Sequence, residues 1–140
     1  MKKHFLLMLT VLSAVTLSFG TAFAAETELS KQMSGINKGL RTLKRQVADP
    51  SKKTENLEIL GKIKHAIDES CKLEPSKTKD QGDKAAYTNK YKEEMVDLGK
   101  AVGELEMAIK VDKADDAKKA LDKIYQLKDK GHKDFGVGED

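Results

Sequence analysis

Apolar residues recur in this chain in an alternation of fours and threes, four times over, and that rhythm constrains the fold more than any other feature. The first run is Leu29, Met33, Ile36, Leu40, Leu43 and Val47. Such spacing lines one face of a helix turning every ~3.6 residues and no face of a strand, which alternates at every second residue. Asp49-Pro50 ends the run, because proline disfavours helical backbone in the residue before it. Beyond SKKT, with Thr54 the expected N-cap, Leu57, Leu60, Ile63 and Ile67 predict a second helix running to about Leu73, closed by Glu74-Pro75.

The polar stretch SKTKDQGD has no periodicity and reads as the longest loop. A third stripe follows in Tyr91, Met95, Leu98, Val102, Leu105 and Ile109, and Asp112 is the expected N-cap of a fourth helix. That helix carries Ala117, Leu121, Ile124, Leu127 or Lys128, His132 and Phe135. Almost no stretch alternates with period two, and neither proline lies inside a helix. Four helices of roughly 20 residues with short joins set neighbours antiparallel, so the fold class is all-α, an up-down-up-down antiparallel four-helix bundle. Gly99 and Gly103 in helix three each cost about 1 kcal/mol relative to alanine. They mark either an exposed flank or the close approach of a neighbouring helix or a flat ligand.

Residues 1–24 read as a leader, not as part of this bundle. Lys2 and Lys3 precede the apolar run Phe5 to Leu17, and Ala22-Phe23-Ala24 fits a signal-peptidase site, so cleavage is expected near Ala24 and export to the periplasm follows. The run is too short for a comfortable membrane span. Residues 25–140 then form one domain, free of the membrane after cleavage and expected to be a monomer. Removing the leader takes away two lysines and no acid, leaving 24 basic against 23 acidic residues and a net charge of +1. Both signs are interspersed at helical spacings with no aromatic-laced basic patch, which argues against nucleic-acid binding. Cys71 has no partner in the chain, so no internal disulfide can form, and it reads as a small hydrophobe near a helix end.

In an up-down-up-down bundle, helix one starts at the end where helix four finishes. With starts and stops near Thr27 and Gly136, Met33 lies about 9 Å and His132 about 6 Å in from that end, at ~1.5 Å per residue. Both occupy core-facing stripe positions. Each has an ordinary reading: a methionine fills gaps in a core, and a histidine in a last turn complements the helix dipole. Together, an imidazole and a thioether at one depth on two helices make the axial pair of a low-spin haem, the soft sulfur favouring Fe(II). Ile36, Leu40, Tyr91, Met95 and Phe135 would supply apolar neighbours for the ring.

These features resemble the cytochrome b562 family of soluble periplasmic four-helix haem proteins. The resemblance covers essentially all of the mature chain: AFAA at the processing site, MSGINKGLRTL early in helix one, the Pro-ended second helix, the stripe of helix three, and HKDF near the end. Tyr91 to Phe135 aligns without a gap, while identity outside the stripes is low. The resemblance implies Met33 and His132 as ligands of haem b, with Tyr91 and Met95 where the family places aromatic residues beside it. Met95 keeps the apolar contact and loses the ring. Lys128, one turn before His132, stands where a basic residue is expected, whereas Gly131 departs from the pattern and is expected to loosen the last turn. Members with covalent haem carry Cys-x-x-Cys-His, but Leu127, Lys128, Asp129, Lys130 and Gly131 precede His132 here, so any haem is held without covalent bonds.

The implied function is one-electron transfer with a periplasmic redox partner. The competing reading is a haem-free periplasmic helical bundle that binds proteins or answers envelope stress, which requires amphipathic helices but no facing methionine and histidine. A di-iron site would need two Glu-x-x-His pairs, and the chain has Asp129-x-x-His132 and, before His65, Lys62. Gly-x-Ser-x-Gly, His-Glu-x-x-His and a phosphate-binding glycine loop are missing, so no enzyme is expected. The tail GVGED reads as a frayed acidic terminus.

Overall fold

The computed structural model describes residues 27–135; the expected leader and the GVGED tail lie outside them. The described chain forms α1 (Glu28–Gln46), a 3-10 turn (Pro50–Lys52), α2 (Lys53–Ser70), a second 3-10 segment (Ser76–Asp80), α3 (Lys84–Lys110) and α4 (Ala114–Phe135). This is the up-down-up-down four-helix bundle that the stripes predict, with no strand among the described residues.

Local chemistry sets each boundary. Thr27 Oγ1 accepts the Ser30 N–H at 3.1 Å and so starts α1. Thr54 is not the cap of α2. Asp49 takes the capping role one turn earlier, accepting from the Ser51 N–H at 2.9 Å and the Ser51 hydroxyl at 2.7 Å, and the Pro50–Lys52 turn runs directly into α2. α2 stops at Ser70, short of Leu73. The loop after it is more ordered than its composition suggests: Thr78 is buried, its hydroxyl donating to the Pro75 carbonyl at 2.7 Å.

Asp112 also departs from expectation. It ends α3 instead of capping α4: its φ is 59°, its N–H bonds Ile109 O at 3.2 Å, and the Lys113 N–H reaches Ala108 O at 2.9 Å. That pair of bonds is a Schellman closure, with aspartate at the left-handed position that glycine usually fills. The Asp112 carboxylate meanwhile accepts from Lys53 Nζ at 2.9 Å, tying the α3–α4 corner to the start of α2.

The stripes meet in one core. Leu43, Leu60, Val102, Leu105 and Ile124 have no exposed surface, one or more from every helix. Burying an aliphatic side chain of this size contributes about 1.5–3 kcal/mol. One buried polar residue interrupts the pattern on α2, where Asn56 faces inward and Leu57 is only half-buried. Gln46 Nε2 donates to Asn56 Oδ1 at 2.9 Å, and Asn56 Nδ2 donates back to Gln46 O at 3.3 Å, so the amide is satisfied.

Gly99 and Gly103 are both half-buried, and neither marks a close approach. A Cβ at Gly103 would meet nothing within 4 Å, and one at Gly99 would make an ordinary 3.7 Å contact with Ile67. The close approach lies elsewhere: a Cβ at Gly39 would fall 2.9 Å from Ile63 Cγ1 and Cδ1, so glycine is what lets α1 sit against α2. α1 neighbours α2, α2 neighbours α3 and α3 neighbours α4, whereas α1 and α4 hardly approach within 8 Å between Cα atoms. That wide seam is where the site opens. No helix among the described residues is long and apolar enough to cross a membrane.

Candidate functional site

At the end of the bundle where α1 begins and α4 finishes, a cleft of about 570 Å³, counted to its open mouth, lies between α1, α3 and α4. All eight residues singled out from sequence line it. Met33, Ile36 and Leu40 come from α1, Tyr91 and Met95 from α3, and Lys128, His132 and Phe135 from α4.

Each is delivered by helical spacing. Met33, Ile36 and Leu40 succeed one another along the inner face of α1; Met33 is half-buried, while the other two are at most 3% exposed. On α3, Tyr91 is 2% exposed, and its hydroxyl donates to Ser70 O at 3.1 Å, which anchors the cleft floor to the end of α2. Burial raises the Tyr91 phenol well above its ordinary pKa. Phe135, the last described residue, is held edge-on by Tyr91 at 5.4 Å and by Tyr87 at 5.1 Å between ring centroids. α4 is helical through Gly131 to Phe135.

His132 is half-buried at the cleft wall. Removal from water holds its imidazole below the ordinary pKa, the Lys128 charge acts in the same direction, and Asp129 opposes them. This direction favours the neutral ring, the form whose lone pair can bind a metal. Lys128 lines the cleft, yet its ammonium sits 5.4 Å from the Tyr125 ring centroid at the α1–α4 seam. His65 is exposed on α2, away from these residues, and Cys71 is a half-buried thiol at the α2 C-cap whose pKa burial raises.

Five lining residues went unassigned to the site from sequence: Asn37, Glu94, Leu98, Leu127 and Gly131. Glu94 is the most consequential. One carboxylate oxygen pairs with Lys130, while Oε2 is buried without a hydrogen-bond partner. A Cβ at Gly131 would lie 3.5 Å from that oxygen, so the bare glycine borders the carboxylate directly. The spacing held the signal: Glu94 lies three residues after Tyr91 and four before Leu98, on the flank of the same face.

Among the described residues, no three His, Cys, Asp or Glu side chains converge to hold an ion. The thioethers of Met33 and Met95, the His132 imidazole and the Glu94 carboxylate line the cleft, with Ile36, Leu40, Leu98 and Phe135 forming its apolar wall. That donor set and apolar wall suit a flat, hydrophobic iron macrocycle. A four-helix bundle opening at one end onto such a cleft defines a haem-binding helical cytochrome. The model of the family described as cytochrome b562 matches residues 28–135, and the chain belongs to the cytochrome b562 family. The cofactor of this family is haem b, bound without covalent attachment. Comparison with the curated proteins and with the solved structures yields no match.

Proposed function

We propose that this protein is an exported periplasmic electron carrier in which Met33 and His132 hold the haem iron from opposite sides and a redox partner exchanges single electrons with it. The observation that carries the reading is that two donors from opposite ends of the chain line one apolar cleft. Bound there, haem supplies reversible one-electron chemistry at iron.

The chain's own residues set the terms of that chemistry. Met33 offers a soft thioether that favours the reduced metal, and His132 is kept as the neutral imidazole by burial. Were both Met33 and His132 to hold the iron, the haem would supply one-electron transfer and not substrate chemistry. Ile36, Leu40, Met95 and Phe135 would exclude water from the ring, and the Tyr91 hydroxyl, donating to Ser70 O, fixes the cleft floor to the end of α2. The N-terminal Lys2, Lys3, apolar run and Ala22-Phe23-Ala24 support export.

The test is the absorption spectrum of the purified mature protein with haem added, oxidised and then dithionite-reduced, beside Met33→Ala and His132→Ala. Sharp reduced α and β bands with one-to-one binding, lost or converted to high spin in both variants, are expected. Free-haem spectra in all three proteins would sink the reading and leave the haem-free bundle.

A further inference from the structure

The outer face of α1 differs from every other surface of the bundle. Residues 29–46 contain five basic side chains and no acidic one, in a chain whose mature part is nearly balanced. Lys31 is paired with Glu28 at 3.5 Å. Lys38, Arg41, Lys44 and Arg45 are exposed and make no ion pair within 4.0 Å among the described residues. On the other helices, cations are commonly laced to acids of a neighbour, as in Lys64–Glu106 at 2.8 Å, Lys123–Glu104 at 2.9 Å and Lys90–Asp134 at 3.0 Å.

This face borders the cleft. Arg41 follows Asn37 by one turn and Lys44 follows Leu40 by one turn, and both Asn37 and Leu40 line the cleft. Lys44 Nζ reaches across the seam to within 5.1 Å of the Tyr125 ring centroid on α4, and Lys128 Nζ approaches the same ring at 5.4 Å. Two ammonium groups from different helices thus share one aromatic ring at the α1–α4 seam, about one turn along α4 from the cleft lining. α4 also carries exposed Asp122 and Asp129, so the single-sign area is confined to the α1 face and Lys128.

Concentrating like charge costs folding energy and returns a local positive field, which steers a partner of opposite sign and fixes its orientation. The field is local, since the mature chain as a whole is close to neutral. The exposed large apolar side chains are Val96, Met107 and Val111, none of them on α1, so this face has nothing to insert into a bilayer. Tyr125 is the single aromatic at the patch, short of the stacking series that nucleic acid uses. Placement at the rim of a redox cleft selects among anionic partners the one that needs a short path to the cofactor.

We propose that Lys38, Arg41, Lys44 and Arg45 of α1, with Lys128, form the docking surface for an acidic electron-transfer protein that exchanges one electron through the adjacent cleft. This rests on the electron-carrier reading above. One electron leaves the reduced protein and reduces the partner, and no bond is made or broken.

The experiment is stopped-flow oxidation of the haem-loaded, reduced protein by ferricyanide, by tris(phenanthroline)cobalt(III), and by the acidic copper protein plastocyanin, at low and high ionic strength. Each oxidant accepts one electron. The variants are Lys38→Gln/Arg41→Gln/Lys44→Gln/Arg45→Gln and a control, Lys62→Gln/Lys119→Gln, on α2 and α4. Expected are rates with ferricyanide and plastocyanin that fall as salt rises, a rate with the cobalt cation that climbs, and about a tenfold loss toward both anionic oxidants at low salt in the quadruple variant alone. Its spectrum should stay that of the parent. Equal rates in parent and quadruple variant, or one salt slope for all oxidants, overturn the docking surface while leaving the carrier reading intact. No exchange with any oxidant overturns the carrier reading itself. Co-sedimentation with phosphatidylglycerol vesicles that the quadruple variant loses would assign the face to a lipid surface and also overturn the proposal.

Discussion

Met33, near the start of α1, and His132, in the last turn of α4, open onto a single apolar cleft although nearly the whole described chain separates them. Ligation by this pair, as proposed, would link haem binding to folding, because only the folded chain brings both donors together. With free haem at about a hundred times its Kd, unfolding free energy rises by about 2.7 kcal/mol. In His132→Ala that increment should shrink by about 1.4 kcal/mol for each tenfold loss of affinity, while the haem-free protein changes far less. Denaturant titrations with and without haem read both quantities, and an undiminished increment in the variant would remove His132 from the site.

Glu94 places a carboxylate in the cleft wall with one buried oxygen unpaired. A fixed negative charge there favours ferric over ferrous iron. Glu94→Gln should therefore raise the reduction potential by tens of millivolts, the scale of roughly 1 kcal/mol that one screened charge exerts on a one-electron couple. Lys130→Gln, which strips Glu94 of its counter-ion, should lower it. Spectroelectrochemical titration gives both values, and equal potentials in all three proteins would show that Glu94 acts on packing alone.

Two glycines should respond oppositely to alanine. Gly103 has open space where a Cβ would go, so Gly103→Ala should stabilise the protein by about 0.5–1 kcal/mol through helix propensity. At Gly39 the added methyl would meet the buried Ile63 at 2.9 Å and Ile59 at 3.2 Å, and neither Ile63 Cγ1 nor its surroundings can give freely. Overpacking of about 1–3 kcal/mol should exceed the propensity gain. Thermal or urea unfolding of the two haem-free variants distinguishes them.

Tyr91 should govern the alkaline limb of stability in the haem-free protein. Burial raises its folded-state pKa above the ordinary value near 10, so an unfolded chain loses that proton first. The stability it contributes is fully present below about pH 10 and declines as pH rises beyond. Tyr91→Phe should cost about 1 kcal/mol at neutral pH, for the lost bond to Ser70 O, and flatten the alkaline decline. Urea midpoints across pH 8 to 11 show whether it does.

Much of the bundle was legible before any coordinates. Stripe residues Ile36, Leu43, Leu60, Leu98, Leu105 and Ile124 are all buried, because period alone decides which side of a helix faces inward. Boundaries were less legible. Thr54 has the right chemistry for an N-cap and is not one, since Asp49 and Pro50 had already turned the chain; Asp112 looks like a helix start and instead closes α3 at a positive φ. Residues of one type serve both ends of helices, and only the backbone path separates the two uses.

The sequence by itself determined four amphipathic helices, their order, and which residues could reach the cleft, since these depend on spacing along one chain. Tertiary structure decided what spacing cannot carry. It left the α1–α4 seam wide, set Glu94 against the bare backbone of Gly131, brought Lys44 and Lys128 to one Tyr125 ring, and let α1 close on α2 at Gly39. Each of these is a relation between flanks of different helices, fixed by how the helices rotate and separate when their cores interlock.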